Sequence, residues 1–267
     1  MAFRLDEYLA RVGWSGPLQP TLATLTALLR AHMARIPFEN LDVLLGRGIR
    51  VDLDSVHAKL VTARRGGYCH EHSTLFGAAL EQVGFEPVSH AARVVMVTSR
   101  AAAPRSHVCL TVSIGGETFV LDPGFGGHGP LVPLPLVEDR EVSEGPDVHR
   151  ITRRDGEWLL EAQIGGAMTP LWTSTLVAES PIDFVVANHF TSTWAESPFV
   201  NRLMLRALTP DGRVSVMNRE VTISRNGVVE RSQLADRAAL RALLARDFGI
   251  DLPEVDRLRV PSVPEWA

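Results

Sequence analysis

Cysteine is scarce in this chain, with Cys69 and Cys109 the only two among 267 residues. That excludes a disulfide framework and fits a reducing compartment. Lysine is scarcer still: Lys59 stands alone among 27 basic residues. A phosphate loop built on a second lysine is excluded, and so is a Schiff-base lysine unless Lys59 itself serves. Positive charge is not in excess, since 27 basic against 31 acidic residues leave a formal charge of −4. A nucleic-acid binder usually carries the opposite balance on at least one face. No apolar run approaches the roughly 18 residues of a membrane span. Arg4, Asp6, Glu7 and Arg11 interrupt any signal-peptide core. The expectation is a soluble cytoplasmic protein that engages neither nucleic acid nor membrane. Its 45% hydrophobic content suffices for a sizeable core, and covalent chemistry falls to Cys, Ser or Asp.

The first third reads as helical. Thr21 can cap a segment with Leu22, Leu25, Leu28, Leu29 and Met33 on one side, ending before Pro37. Asp54 or Ser55 can open a second that carries Val56, Leu60 and Val61. A third places Leu75, Phe76, Ala79, Leu80 and Val83 at helical spacing and closes at Gly84. From about residue 88 the period changes to two. Residues 88–98, 106–122, 148–154, 157–164 and 169–178 read as strands, with Asp155-Gly156 as a hairpin turn. Ser180-Pro181 predicts a helix start, with the helix reaching about His189. Strand pairs follow around Asp211-Gly212 and Asn226-Gly227, then a helix from about Leu234 to Phe248.

One stretch can carry chemistry. Gly66-Gly67-Tyr68-Cys69 places a sulfur at or near a helix N-terminus, where free N–H groups and the dipole favour thiolate. The glycine pair would also let the backbone approach a ligand closely. A thiolate nucleophile needs a base, and the base an orienting group. A two-residue turn at Gly115-Gly116 sets residue 109 opposite Asp122, so His107 lies on the same face as Asp122 and diagonal to it. Val108, Leu110, Val112, Phe119 and Leu121 occupy the other face.

Arg65-Gly66-Gly67-Tyr68-Cys69-x-Glu71, His107 and Asp122-x-Gly124-Phe125-Gly126-Gly127 resemble the arylamine N-acetyltransferases. Ile36-Pro37-Phe38-Glu39-Asn40-Leu41 matches that family's upstream motif, and Thr191-Ser192-Thr193 with Phe199 looks like its later one. The resemblance implies an α+β chain with a cysteine-protease-like catalytic core. Its parts would be a helical domain over 1–85, a β-barrel-like domain over 86–180 and an α/β lid over 181–267. It implies a Cys69–His107–Asp122 triad, acetyl-coenzyme A as co-substrate and no metal. Cys69 would take the acetyl group as a thioester and pass it, by a ping-pong mechanism, to an arylamine, hydrazine or hydroxyarylamine. Backbone N–H groups near Cys69 and Tyr68 are oxyanion candidates. Phe38, Phe125 and Phe199 would line the acceptor pocket. Gly124, Gly126 and Gly127, with Thr191 and Ser192, would meet the coenzyme. The chain departs from the pattern in two places, at Pro123 and at the Trp194-Ala195 pair.

Other readings of the same residues compete. The triad would also suit a cysteine hydrolase, or an amide synthase that releases a polyketide from a carrier protein as a macrolactam. Gly124-Phe125-Gly126-Gly127-His128-Gly129 fits a dinucleotide fingerprint, but Pro130, Pro133 and Pro135 forbid the helix it requires. Cys69 with His72, and His107 with Cys109, share faces without zinc-finger spacing. Arg65 and Glu71 read as structural support for the loop before Cys69. His32, His90, His149 and His189 have no evident partners in the sequence.

Overall fold

The computed structural model describes residues 3–266. Two helices come first, α1 (Leu5–Val12) and α2 (Leu22–Arg35). The Thr21 hydroxyl caps α2 by accepting from the Thr24 N–H at 3.2 Å, an interaction worth about 1 kcal/mol. A short strand β1 (Phe38–Glu39) and a short helix α3 (Leu41–Leu44) lead to α4 (Leu53–His57), which widens into a π-helical turn over Ala58–Thr62. The long helix α5 (Cys69–Val83) stops at Gly84, whose φ of 99° lies in the left-handed region.

The middle of the chain is one antiparallel sheet. Its strands are β2 (Val88–Val94), β3 (His107–Ile114), β4 (Glu117–Leu121), β5 (Leu134–Pro135), β6 (Arg140–Glu144), β7 (Asp147–Arg154), β8 (Glu157–Ile164) and β9 (Ala167–Ser174). Their spatial order, β5-β4-β3-β2-β9-β8-β7-β6, curls into a nearly closed barrel. Asp155 (φ 51°) and Gly156 (φ 79°) both take the left-handed conformation that a tight β7–β8 hairpin needs.

The last part opens with α6 (Pro181–Thr193) and α7 (Pro198–Asn201). Strands β10 (Met204–Thr209), β11 (Gly212–Met217), β12 (Glu220–Arg225) and β13 (Val228–Gln233) follow. They join β1 in a five-stranded sheet of order β1-β10-β11-β12-β13. Helix α8 (Arg237–Leu243) runs on as a π-helical turn to Phe248 and ends at Gly249. Among the described residues no helix is long and apolar enough to cross a membrane.

Three apolar cores hold these parts. The helices bury Leu25, Leu29, Val56, Leu60, Leu75 and Phe76 together with Leu110, Val112 and Leu121 from the β3–β4 hairpin. The barrel interior takes the other face of that hairpin, with Cys109 and Val120 against Leu160, Leu171 and Trp172. A third core joins Leu41 and Leu44 to Leu205, Val214, Leu240, Leu244 and Trp266. At about 1.5–3 kcal/mol for each large apolar side chain buried, the β3–β4 hairpin is fixed from both sides. It is therefore a rigid mount for anything at its open end.

The structure corrects several expectations. Helix α1 has no side-chain cap at Arg4, so nothing local announces it. Asp52, not Asp54 or Ser55, caps α4 by accepting from the Ser55 N–H at 3.0 Å. Asp236 caps α8 in the same way, so that helix starts after Leu234. Helix α6 runs four residues past His189, to Thr193. Strand β2 ends at Val94, and β6 was not marked by the period of two.

Candidate active site

Cys69 is the first residue of α5, and its position is fixed from below. Glu71, two residues on, turns back to accept the Tyr68 N–H at 3.1 Å through Oε2, closing the first turn. Its Oε1 accepts from Lys59 Nζ at 2.8 Å. Lys59 also pairs with Asp42 at 3.0 Å, while Arg65 pairs with Glu39 at 2.7 Å and Asp42 at 3.4 Å. Three carboxylates and two cations thus lie under the helix start. Burial lowers the basicity of Lys59, but the surrounding acids outweigh it and push the pKa up. The only lysine is a fixed cation and no Schiff-base nucleophile. Burial raises Glu71 to about 7 against the pull of Lys59. Arg65 and Glu71 are structural supports, as their sequence context suggested.

His107 and Asp122 meet as the hairpin register requires. Ile114 pairs with Glu117 and Leu110 with Leu121, which leaves His107 diagonal to Asp122 just beyond the strand end. His107 Nε2 lies 2.9 Å from Asp122 Oδ2. Trp172 Nε1 donates to the same oxygen at 2.8 Å, and Asp122 is wholly buried. Burial alone would push the His107 pKa down. The charge and hydrogen bond of Asp122, helped by Cys69, reverse that and raise it to about 10. With Nε2 committed to Asp122, Nδ1 is the ring nitrogen left free to serve Cys69. The Cys69 sulfur and the His107–Asp122 pair are thus coupled electrostatically. Such a group can hold a thiolate beside a cation and move a proton to and from a reacting atom.

The other predicted residues gather around this line with unequal claims. Phe125 sits edge-on to His107 at 5.4 Å between ring centroids. Phe38 and Phe199 pack together at 6.3 Å, and Phe199 meets Tyr68 at 5.2 Å. All three phenylalanines are half-buried. A Cβ on Gly124 would stand 2.5 Å from Cys69 Cα, so glycine is required there by the protein's own packing. Gly126 combines a φ of 78° with a Phe38 ring 3.0 Å from where its Cβ would be. Gly127 is exposed with open space above it. Thr191 Oγ1 bonds the Ala187 carbonyl at 2.8 Å and reaches the Ser106 carbonyl at 3.5 Å, which Cys69 Sγ also faces at 3.9 Å. Ser192 Oγ bonds the Asn188 carbonyl at 2.8 Å. Gly66 and Gly67 face Pro37 and Glu71 rather than open space, so close approach at that pair serves packing. The Tyr68 N–H is taken by Glu71, which leaves Cys69 N–H as the oxyanion candidate. Gly124→Ala is expected to destabilise the protein by about 1–3 kcal/mol, since backbone rather than a mobile side chain blocks the methyl. Chemical denaturation checks it, and a wild-type midpoint would refute the contact.

Local patterns gave no sign of several contributors. Trp172 arrives from β9 to share the Asp122 oxygen. The Tyr68 hydroxyl donates to Asn188 Oδ1, tying α5 to α6. His32 does have partners: it stands in a buried chain from Tyr8 to His72. The Pro37 carbonyl can only accept, so His72 Nε2 donates to it (3.3 Å) and His32 Nε2 donates to His72 Nδ1 (2.8 Å). The Tyr8 hydroxyl then donates to His32 Nδ1 (3.1 Å). Every ring in the chain is neutral. His90 and His149 are likewise bonded, to Thr111 and to the His128 carbonyl.

Acid should expose this arrangement. Burial holds His70 and His72 down to about 4 and His32 well below its ordinary value. Depressed values contribute stability that is present above the unfolded value near 6.5 and lost as pH falls toward about 4. Glu71, raised by burial, acts in the opposite sense over this range and offsets only part of the loss. The urea midpoint is therefore expected to drop between pH 7 and 4.5. An unchanged midpoint would contradict the neutral, buried state of these rings.

The comparisons with known proteins agree with the geometry. A family model described as N-acetyltransferase matches residues 21–257. The arylamine N-acetyltransferase of Escherichia coli (strain K12) is 35% identical over 252 residues, covering 94% of this chain and 90% of that protein. That of Mycolicibacterium smegmatis is 36% identical over 260 residues, covering 96% and 94%. Among solved structures, Mycobacterium marinum arylamine N-acetyltransferase in complex with CoA superposes with a TM-score of 0.90 at 33% identity, covering 94% of each chain. Likeness of this extent, over a fold that sets a cysteine at a helix start against a His–Asp pair, makes this acyltransferase a member of the arylamine N-acetyltransferase family.

Proposed function

We propose that this protein transfers an acetyl group from acetyl-coenzyme A, through a thioester on Cys69, to the nitrogen of an arylamine, hydrazine or hydroxyarylamine. The observation that carries the reading is His107, bonded to the buried Asp122 at 2.9 Å and coupled electrostatically to Cys69 at the start of α5. The segments 1–85, 86–180 and 181–267 are the units we assign to the nucleophile, to the His–Asp pair and to the lid.

His107, held protonated by Asp122, keeps Cys69 as thiolate. The sulfur attacks the acetyl carbonyl carbon, and the Cys69 N–H stabilises the oxygen that becomes negative. The carbon–sulfur bond to coenzyme A breaks as His107 gives its proton to the departing thiolate. An amine then attacks the Cys69 thioester and passes a proton to the now neutral His107, and Cys69 leaves as thiolate. Because the acetyl-enzyme forms before the amine acts, the order is ping-pong. The residues fit such a donor: exposed, unencumbered backbone at Gly127 permits close approach, and Thr191 Oγ1 reaches the Ser106 carbonyl that Cys69 Sγ also faces. The half-buried rings of Phe38, Phe125 and Phe199 suit a flat acceptor.

The test is intact mass after incubation with acetyl-coenzyme A and no amine, beside a Cys69→Ala control. A single acetyl adduct, absent from the control and discharged by an aniline-type amine, is the expected result. No adduct despite rapid alkylation of Cys69 would overturn the donor assignment and leave amide synthesis or hydrolysis as the chemistry of the triad.

A further inference from the structure

A cleft of about 510 Å³ opens at the edge of the third core and shares no residue with the catalytic group. One wall is the end of α3 and the loop after it, Leu44 to Gly46. The other is made by Arg237 at the start of α8 and by the segment 256–259. The Arg259 N–H donates to the Leu44 carbonyl at 3.0 Å and pins the two walls together. A cleft of this size lies within the range that small molecules occupy.

Its charge is one-sided. Arg237, Arg257 and Arg259 line it against a single acid, Asp256, in a chain whose net charge is −4. Among the described residues none of the three guanidiniums has a carboxylate within 4.0 Å. The acids nearest in sequence are engaged elsewhere: Glu254 with Arg47 at 2.8 Å, Asp251 with Arg241 at 3.0 Å and Glu265 with Arg219 at 3.5 Å. Glu254 feels Arg257 only through space. Arg237 is held in place all the same. Its guanidinium lies over the Trp266 ring at 5.5 Å, Nη2 donates to the Leu258 carbonyl at 2.9 Å, and Nη1 reaches the Glu265 carbonyl at 3.5 Å. Its Nε is buried and has no hydrogen-bond partner among the described residues. A guanidinium fixed in this way, with its charge unanswered, is one preorganised half of an ion pair.

We propose that this cleft binds a small phosphorylated polyol, such as a sugar phosphate. Arginine forks match phosphate geometry, two N–H groups to two oxygens. Three arginines exceed the one acid by two charges, an excess that a phosphate monoester balances near neutral pH. Asp256 selects the rest of the ligand, because a carboxylate repels a bare phosphate but accepts hydrogen bonds from hydroxyls. Gly46 adds exposed backbone with open space above it. Inorganic phosphate alone would leave most of the volume unused. The site is independent of the acetyl-transfer reading.

Isothermal titration calorimetry with ribose 5-phosphate tests it, in wild type, in the double variant Arg257→Gln/Arg259→Gln and in Arg140→Gln, which changes an exposed arginine on β6. Wild type and Arg140→Gln should bind with the same Kd. The double variant should raise it about 10- to 100-fold, the range for losing charged hydrogen-bond partners. Both substituted arginines are exposed, so the fold should survive, and the urea midpoint verifies it. Asp256→Ala should weaken ribose 5-phosphate and tighten inorganic phosphate, because one carboxylate serves the hydroxyls and repels the bare ion. No binding by wild type, or equal binding by wild type and the double variant, would overturn the proposal. Tightening of both ligands in Asp256→Ala would overturn the polyol in favour of a bare anion. Loss of binding when coenzyme A is saturating would overturn the cleft in favour of the coenzyme's own phosphate site.

Discussion

Asparagine at position 122 is expected to slow acetyl-enzyme formation by about 10³- to 10⁴-fold, the scale on which a triad responds to loss of its carboxylate. The substitution is nearly isosteric, and its amide oxygen can still accept from His107 Nε2 or from Trp172 Nε1. What it removes is charge. Burial pushes His107 down, and only Asp122 with Cys69 carries it up to about 10. Without the carboxylate the imidazole is neutral at pH 7, and Cys69 loses the cation beside it. The same linkage predicts stability. A folded value raised above the unfolded one near 6.5 contributes stability that is fully present below pH 6.5 and lost as pH climbs through about 10. Wild type should therefore be ahead of Asp122→Asn by most at pH 6.5 and by least near pH 10. Rapid-mix mass spectrometry measures the acylation rate, and urea unfolding at the two pH values measures the gap. Near wild-type acylation would remove Asp122 from the mechanism.

Much of this site was legible in the sequence because its geometry is set locally. The Gly115-Gly116 turn fixes the register of β3 on β4, and the register alone brings His107 to Asp122. Thr21, Gly84 and Gly249 end their helices where capping rules place them. The family, too, was readable from motif spacing, since the residues around Cys69, His107 and Asp122 occur in one order. Residues whose roles come from distant partners left no such mark. Trp172 reaches Asp122 across 50 positions, and Tyr68 reaches Asn188 across 120. Arg237, Arg257 and Arg259 look like solvated arginines until the cleft that gathers them is known. Even the apolar alternation of the hairpin was half informative: both of its faces are buried, one against helices and one inside the barrel, so period two marked the strands without showing which side was covered.

Lys59→Met should be among the most destabilising single changes in the chain, costing about 3–5 kcal/mol, the scale for breaking a buried ion pair from one side. Lys59 bridges Glu71 and Asp42, with Glu39 at 4.0 Å. Removing it leaves the three carboxylates to Arg65, with Arg47 reaching only Asp42 among them and otherwise paired with Glu254. Glu71 suffers most, because its other hydrogen bond is to the Tyr68 N–H alone. Burial already raises it to about 7 with Lys59 in place, and without the ammonium it will hold its proton to higher pH still. Protonation relieves the strain, so the loss should be smaller at pH 5 than at pH 8. Lys59→Arg restores the charge but brings a planar fork into a site shaped for a compact ammonium, and an intermediate loss is expected. Urea midpoints at the two pH values decide the matter. A loss independent of pH would mean that Lys59 acts by packing its stem, and not by holding Glu71 ionised against the first turn of the helix that carries Cys69.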